Sequence, residues 1–188
     1  AAAERVVLVW RGDGGFQVAD VATRDLSITP GTNLIGEPRD EVVADLSSLQ
    51  GSAIGLAAVT GLRLRSGLVR SIQVCAALDR VLELCIEHVR SRVQFGRPLS
   101  KFQAVQNLVS DTAAEAALAR AATEAALTAA VTSDWSADNL EFLVAVARSC
   151  AGHATSVVVR NAHQVHGAIG TTREHRLHEF TRAALAWR

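Results

Sequence analysis

Apolar positions change their spacing once along this chain, near residue 50. Before that point they come in short runs broken by turn residues. Arg5-Val-Val-Leu-Val-Trp10 is a compact apolar run, and Arg11-Gly-Asp-Gly-Gly15 has the glycines that a tight turn needs. Phe16 to Val21 reads as a returning strand, Leu26-Ser-Ile-Thr as a third ending at Pro30, and Glu41 to Leu46 as a fourth. A hairpin and two short strands make too little sheet to stand alone, so the segment is expected to complete a larger sheet whose first strands are missing from the chain.

From about residue 52 the spacing becomes helical. Leu68, Ile72, Cys75, Leu78, Leu82, Cys85 and Val89 recur in steps of three and four, with Asp79, Glu83 and Glu87 on another face. Gly96 and Pro98 stop this helix. Ser100 and Gln103 have capping-box spacing for a second helix, rich in alanine through Ala130, whose small side chains let backbones approach closely. Thr132 to Ser136 breaks it. A third helix is predicted from a cap at Asp138–Glu141 to about His166, with Leu140, Val144, Ala147, Ala151, Ala154 and Val158 on one side. Gly167-Ala-Ile-Gly170 is a loop, and Thr171 to Glu174 caps a fourth helix. The expected fold is α+β: a partial β-sheet or barrel segment over residues 1–50, then an antiparallel four-helix bundle over 51–188.

Composition narrows the function classes. Almost half of the residues are hydrophobic, enough for a core, and the net charge is zero without a basic run, which argues against nucleic acid. No secretory leader and no apolar stretch of membrane-spanning length are read from the sequence, so no membrane span is expected. Cys75, Cys85 and Cys150 lack metal spacing and sit among apolar residues, as reduced buried thiols of a cytoplasmic protein would. The absence of methionine and a last residue, Arg188, inside a helical pattern lead us to expect that both ends are cut.

Two corners could carry chemistry. In Arg92-Val-Gln-Phe-Gly-Arg-Pro-Leu99, followed by Phe102-Gln103, a helix ends and another begins; Arg92 can meet an anionic group and Phe95 can cover a flat ring. A plain helix–helix corner with a solvated arginine is the competing reading. Gln164-Val-His-Gly-Ala-Ile-Gly170 leads toward a helix N-terminus, whose free N–H groups favour anions; a C-cap plus loop is the alternative. His153, His163, His166, His175 and His178 invite a metal reading, but no carboxylate accompanies His163 and His166, so no metal site is expected and the rings read as solvated or helix-end groups. Hydrolase and nucleotide-triphosphate motifs are absent.

Taken together, the two corners resemble the acyl-CoA dehydrogenase family. That family carries R-x-x-F-G-x-P-[LI]-x-x-x-Q after the first long helix of its C-terminal domain and Q-x-x-G-[GA]-x-G before the last helices. Arg92, Phe95, Gly96, Pro98, Leu99 and Gln103 fill the first pattern, and Gln164, Gly167, Ala168 and Gly170 the second, followed by Glu174 and Arg182. The resemblance implies FAD held between the β-domain of one subunit and the bundle of its neighbour. Arg92, Phe95 and Gln103 would contact the pyrophosphate and adenine side, and Gln164, Gly167 and Gly170 the adenosine diphosphate part. It also implies α,β-dehydrogenation of an acyl-CoA substrate, a homo- or hetero-oligomer with another such subunit, and electron transfer to an electron-transfer flavoprotein. The family's base falls just past Arg188, and its alternative position falls at about Ser66, beside Gly67, so the catalytic residue is unknown; Glu174 and Glu179 are weak candidates. The pattern also resembles half-length members from actinobacterial steroid degradation, which form heteromers of a competent and a degenerate subunit. Steroid-derived CoA esters are then one substrate class, and a non-catalytic partner subunit is the alternative function.

Overall fold

The computed structural model describes residues 3–188 and divides into two compact units, one ending at Arg63 and the other running from Leu64 to Arg188.

In the first unit, β1 (Arg5–Gly12) and β2 (Gly15–Ala22) form a hairpin closed by the Gly12–Gly15 pair, as the alternating runs and intervening glycines predict. The loop is only Asp13-Gly14, and Gly15 takes φ +122°, a value that a side chain would strain. β3 (Ser27–Thr29) pairs with β4 (Glu41–Val43), and β5 (Ser52–Ile54) adds to β2. The sequence reading missed β5, since three residues beside a glycine carry almost no periodic signal. The predicted fourth strand also ends at Val43, three residues early. Val21 is the one buried apolar residue of this unit among the described residues, while Val7, Leu34, Val42, Val43 and Leu46 are exposed.

The helical unit is built on α1 (Leu56–Ser91), α2 (Gln103–Thr132), α3 (Leu140–His166) and α4 (Leu177–Trp187). Consecutive helices run antiparallel. Cys75 meets Thr123 and Asp79 pairs with Arg120 between α1 and α2, while the Asn161 amide donates to the Leu108 carbonyl between α2 and α3. His163 faces Thr181 and Arg148 reaches the Trp187 carbonyl between α3 and α4.

Side-chain size sets the spacing. Ala116, Ala119, Ala126 and Ala130 of α2 face Ala147, Ala151, Ala154 and Ala162 of α3, and these two helices make the closest backbone approach in the bundle. α1 presents larger residues, including Val74, Leu78 and Val81, each fully buried and each worth about 1.5–3 kcal/mol relative to exposure. Leu68, Cys75, Leu78, Cys85 and Val89 of the predicted α1 stripe are buried and Ile72 is exposed; the buried face is wider than predicted and also takes in Val74, Ala77, Val81 and Leu84. Cys75 and Cys85 are buried as expected, and Cys150 only partly.

Three predicted caps do not form. α2 is preceded by Phe102, α3 by Asn139 and α4 by Arg176, none with a side-chain capping bond. Tertiary packing, not capping, decides where these helices start. The fourth helix begins at Leu177 because residues 167–171 wind into a 3-10 turn first. One exclusion also needs correction: residues 140–171 are long and apolar enough to cross a membrane by composition. In the fold, Ala147, Ala151, Val158 and Ala162 of that stretch are packed against neighbouring helices, as in a core helix.

Candidate functional site: a cavity shared by two helix corners

The first corner is a two-residue hairpin. β6 (Val93–Gln94) pairs with β7 (Arg97–Pro98), and Phe95 and Gly96 between them have φ +51° and +75°. Positive φ at both central residues defines a type I′ turn, for which Gly96 is suited and Phe95 is not. Phe95 is also 91% exposed, meeting Phe102 edge-on at 6.2 Å between ring centroids. An exposed aromatic in a strained conformation costs stability without repaying it in core packing. Arg97 is engaged elsewhere, stacked 4.2 Å over the Phe102 ring. Arg92 sits just past α1 with its N–H bonded to the His88 carbonyl at 2.9 Å, and its own carbonyl accepts the Leu99 N–H at 2.9 Å. Its side chain is exposed.

The second corner closes α3. Gly167 takes φ +64° with open space around its Cα, so the backbone alone demands glycine there. Gly170 is needed for the opposite reason. A Cβ there would lie 2.9 Å from the His166 Cβ and 3.0 Å from the Leu177 Cδ2. Gly170 is buried, whereas Gln164, Gly167, Ala168 and Ile169 face solvent.

The two corners meet. Arg92 of the first and Ala168 and Ile169 of the second line one cavity of about 510 Å³, together with His88, Ser91 and His166. Of the six predicted site residues, only Arg92 is in this lining; Phe95, Gln103, Gln164, Gly167 and Gly170 are not. Gly167 and Gly170 instead bracket the Ala168–Ile169 turn and set its path. Gln103 is exposed at the first position of α2. The N-terminus of α4 follows the loop only after residues 172–176, so the expected direct lead from glycine loop into helix end is not what forms.

Sequence reasoning missed the histidine wall of this cavity. His88, near the end of α1, stacks on His166, the last residue of α3, at 4.4 Å between centroids. His175, between the 3-10 turn and α4, lies 4.6 Å from His166. His166 is a helix-end residue, one of the two expected readings, but its ring is 5% exposed and not solvated. Its Nδ1 bonds to the Ala162 carbonyl at 2.8 Å, and its buried Nε2 has no partner. Burial, more than the neighbouring rings, lowers its pKa to about 4. Burial lowers that of His88 as well, with His175 and Arg92 adding repulsion. No sequence signal joins three histidines spread over 88 positions; only the antiparallel helix order does.

The helical unit and its cavity define an acyl-CoA dehydrogenase C-terminal domain: the family description of that name matches residues 55–188. The chain belongs to the acyl-CoA dehydrogenase family. Acyl-CoA dehydrogenase IpdE2 of Mycolicibacterium smegmatis is 33% identical over 138 residues, covering 73% of this chain and 42% of that protein. The probable acyl-CoA dehydrogenase YngJ of Bacillus subtilis is 32% identical over 176 residues, covering 92% and 40%. The chain thus spans less than half the length of these curated relatives. Among solved structures, the ChsE4–ChsE5 complex of Mycobacterium tuberculosis is similar with a TM-score of 0.85 at 25% identity, over 98% of this chain and 50% of that one.

Proposed function

We propose that this chain is a subunit of an FAD-dependent acyl-CoA dehydrogenase, acting in α,β-dehydrogenation of an acyl-CoA thioester, and that its helical unit holds the diphosphate end of FAD. The observation that carries this reading is the shared cavity: a guanidinium from one corner and the Ala168–Ile169 turn from the other line one space. The donor set suits the group. Arg92 offers paired N–H donors to phosphate oxygens, and the volume of about 510 Å³ admits a diphosphate. Gly167 and Gly170 hold the turn that would face it, and the exposure and strain of Phe95 support a role in covering a ring system brought by a second subunit. Gln103 and Gln164, both exposed, would offer further amide donors.

Bound FAD supplies the hydride acceptor for the reaction, and the electrons pass on to an electron-transfer flavoprotein. The chain's own part is to bind, orient and shield. A second reading is favoured by one observation. Glu174 and Glu179 are exposed, Glu179 is paired with Arg176 at 3.1 Å, and neither lines the cavity. On that reading the chain is the non-catalytic partner in a heteromer, completing its neighbour's FAD site. The similar ChsE4–ChsE5 structure is itself a complex of two named components, which supports a heteromer.

Anaerobic titration of the purified complex with acyl-CoA tests both. The expected result is a yellow protein whose flavin band bleaches. A protein purified without flavin, and unable to take it up in any assembly, would overturn the proposal. Bleaching only in the presence of a second subunit selects the partner role.

A further inference from the structure

His88, His166 and His175 come from three different elements and converge on one point. Their ligating atoms all lie within 4.8 Å of one another. Around a tetrahedral zinc, nitrogens stand roughly 3.3 Å apart, so closure asks each ring to move inward by about 0.9 Å at most. His166 is prepared for ligation. Its Nδ1–H donates to the Ala162 carbonyl, which leaves the lone pair on Nε2, and that atom is buried without a partner. A backbone carbonyl on the far nitrogen is the usual support of a metal-bound imidazole. His88 and His166 also line the cavity, which leaves an open side for a fourth ligand.

We propose that His88, His166 and His175 form a binding site for a divalent first-row transition-metal ion that favours imidazole nitrogen, with water as the fourth ligand on the cavity side. Among the described residues no carboxylate joins the cluster, so the ligands are neutral and a hard, oxygen-seeking cation such as magnesium is disfavoured. His175 is the least prepared of the three. Its Nδ1 accepts the Leu177 N–H at 3.1 Å, so ligation through Nε2 moves the ring proton to Nδ1 and opens that bond. Arg92 stands on the same wall, and its charge opposes the ion and holds affinity down. The open side of this site is the cavity proposed to hold the diphosphate, so the test uses flavin-free protein and its outcome is read without FAD.

The test is titration of the purified, flavin-free, chelator-treated protein with Co²⁺, read by visible absorption and calorimetry. One ion per chain with the intense visible bands of four-coordinate cobalt is expected. His88→Asn and His175→Asn, both at partly exposed rings, should each weaken binding more than about tenfold. His166 is left intact because its ring is part of the core. His153→Asn, at an exposed ring 3.7 Å from Glu115, should change nothing. Absence of the bands, their survival undiminished in His88→Asn, or their loss in His153→Asn would each overturn the assignment.

Discussion

Substitution of Gly170 by alanine isolates one contact on which the second corner depends. The added Cβ would sit 2.9 Å from the His166 Cβ and 3.0 Å from the Leu177 Cδ2, closer than carbon atoms pack. Leu177 can turn about its side-chain bonds, but the His166 Cβ is fixed to the end of α3, so the turn itself must move. Forcing a methyl into a packed site costs about 1–3 kcal/mol. For a chain of this length each kcal/mol lowers the melting temperature by about 2–4 °C. Urea denaturation followed by circular dichroism, with FAD content measured in parallel, reads both consequences. Stability should fall by that amount, and flavin retention should fall with it, because Ala168 and Ile169 shift away from the Arg92 side of the cavity. Gly170→Ala with wild-type stability would refute the packing argument. A destabilised variant with full flavin content would refute the link from turn to cavity.

Other outcomes follow from the same geometry. Phe95→Asn puts a residue suited to a type I′ turn at φ +51° and gives up little burial; it should stabilise the protein by about 0.5–1 kcal/mol in the same urea assay while lowering FAD retention. Ala119→Leu, at a fully buried position on the α2–α3 seam, should cost about 1–3 kcal/mol or more by thermal denaturation, since the helices must separate to admit it. Alkylation by iodoacetamide, located by mass spectrometry, should modify Cys150 in the native protein and spare Cys75 and Cys85, both buried. Burial pushes the Cys85 thiol up to about 12, so little thiolate is available there.

What the sequence reveals and what it hides divide along physical lines. The six stripe positions predicted for α3, Leu140, Val144, Ala147, Ala151, Ala154 and Val158, are all buried, because one long helix repeats its signal many times. The alanine content of α2 likewise announces the close packing with α3. The caps at Ser100, Asp138 and Thr171 fail because a capping motif is a few tenths to one or two kcal/mol of local preference, which packing overrides. β5 is too short to announce itself. At the site, Arg92 and the glycine loop are legible as motifs, but the division of labour between Gly167 and Gly170 is not. One meets a backbone requirement and the other a steric one, and only coordinates separate them. The cluster of His88, His166 and His175 is invisible for the same reason: its members are neighbours through the bundle, not along the chain.

The central claim is that Arg92 and the Ala168–Ile169 turn cradle the FAD diphosphate. Equilibrium titration of the flavin-free assembly with FAD, comparing wild type with Arg92→Ala, tests it most directly. Loss of a charge-assisted contact of about 1.5–3 kcal/mol predicts a Kd weaker by about tenfold to a hundredfold, with the urea midpoint unchanged because the Arg92 side chain is exposed. Equal FAD affinity in the two proteins would contradict the account.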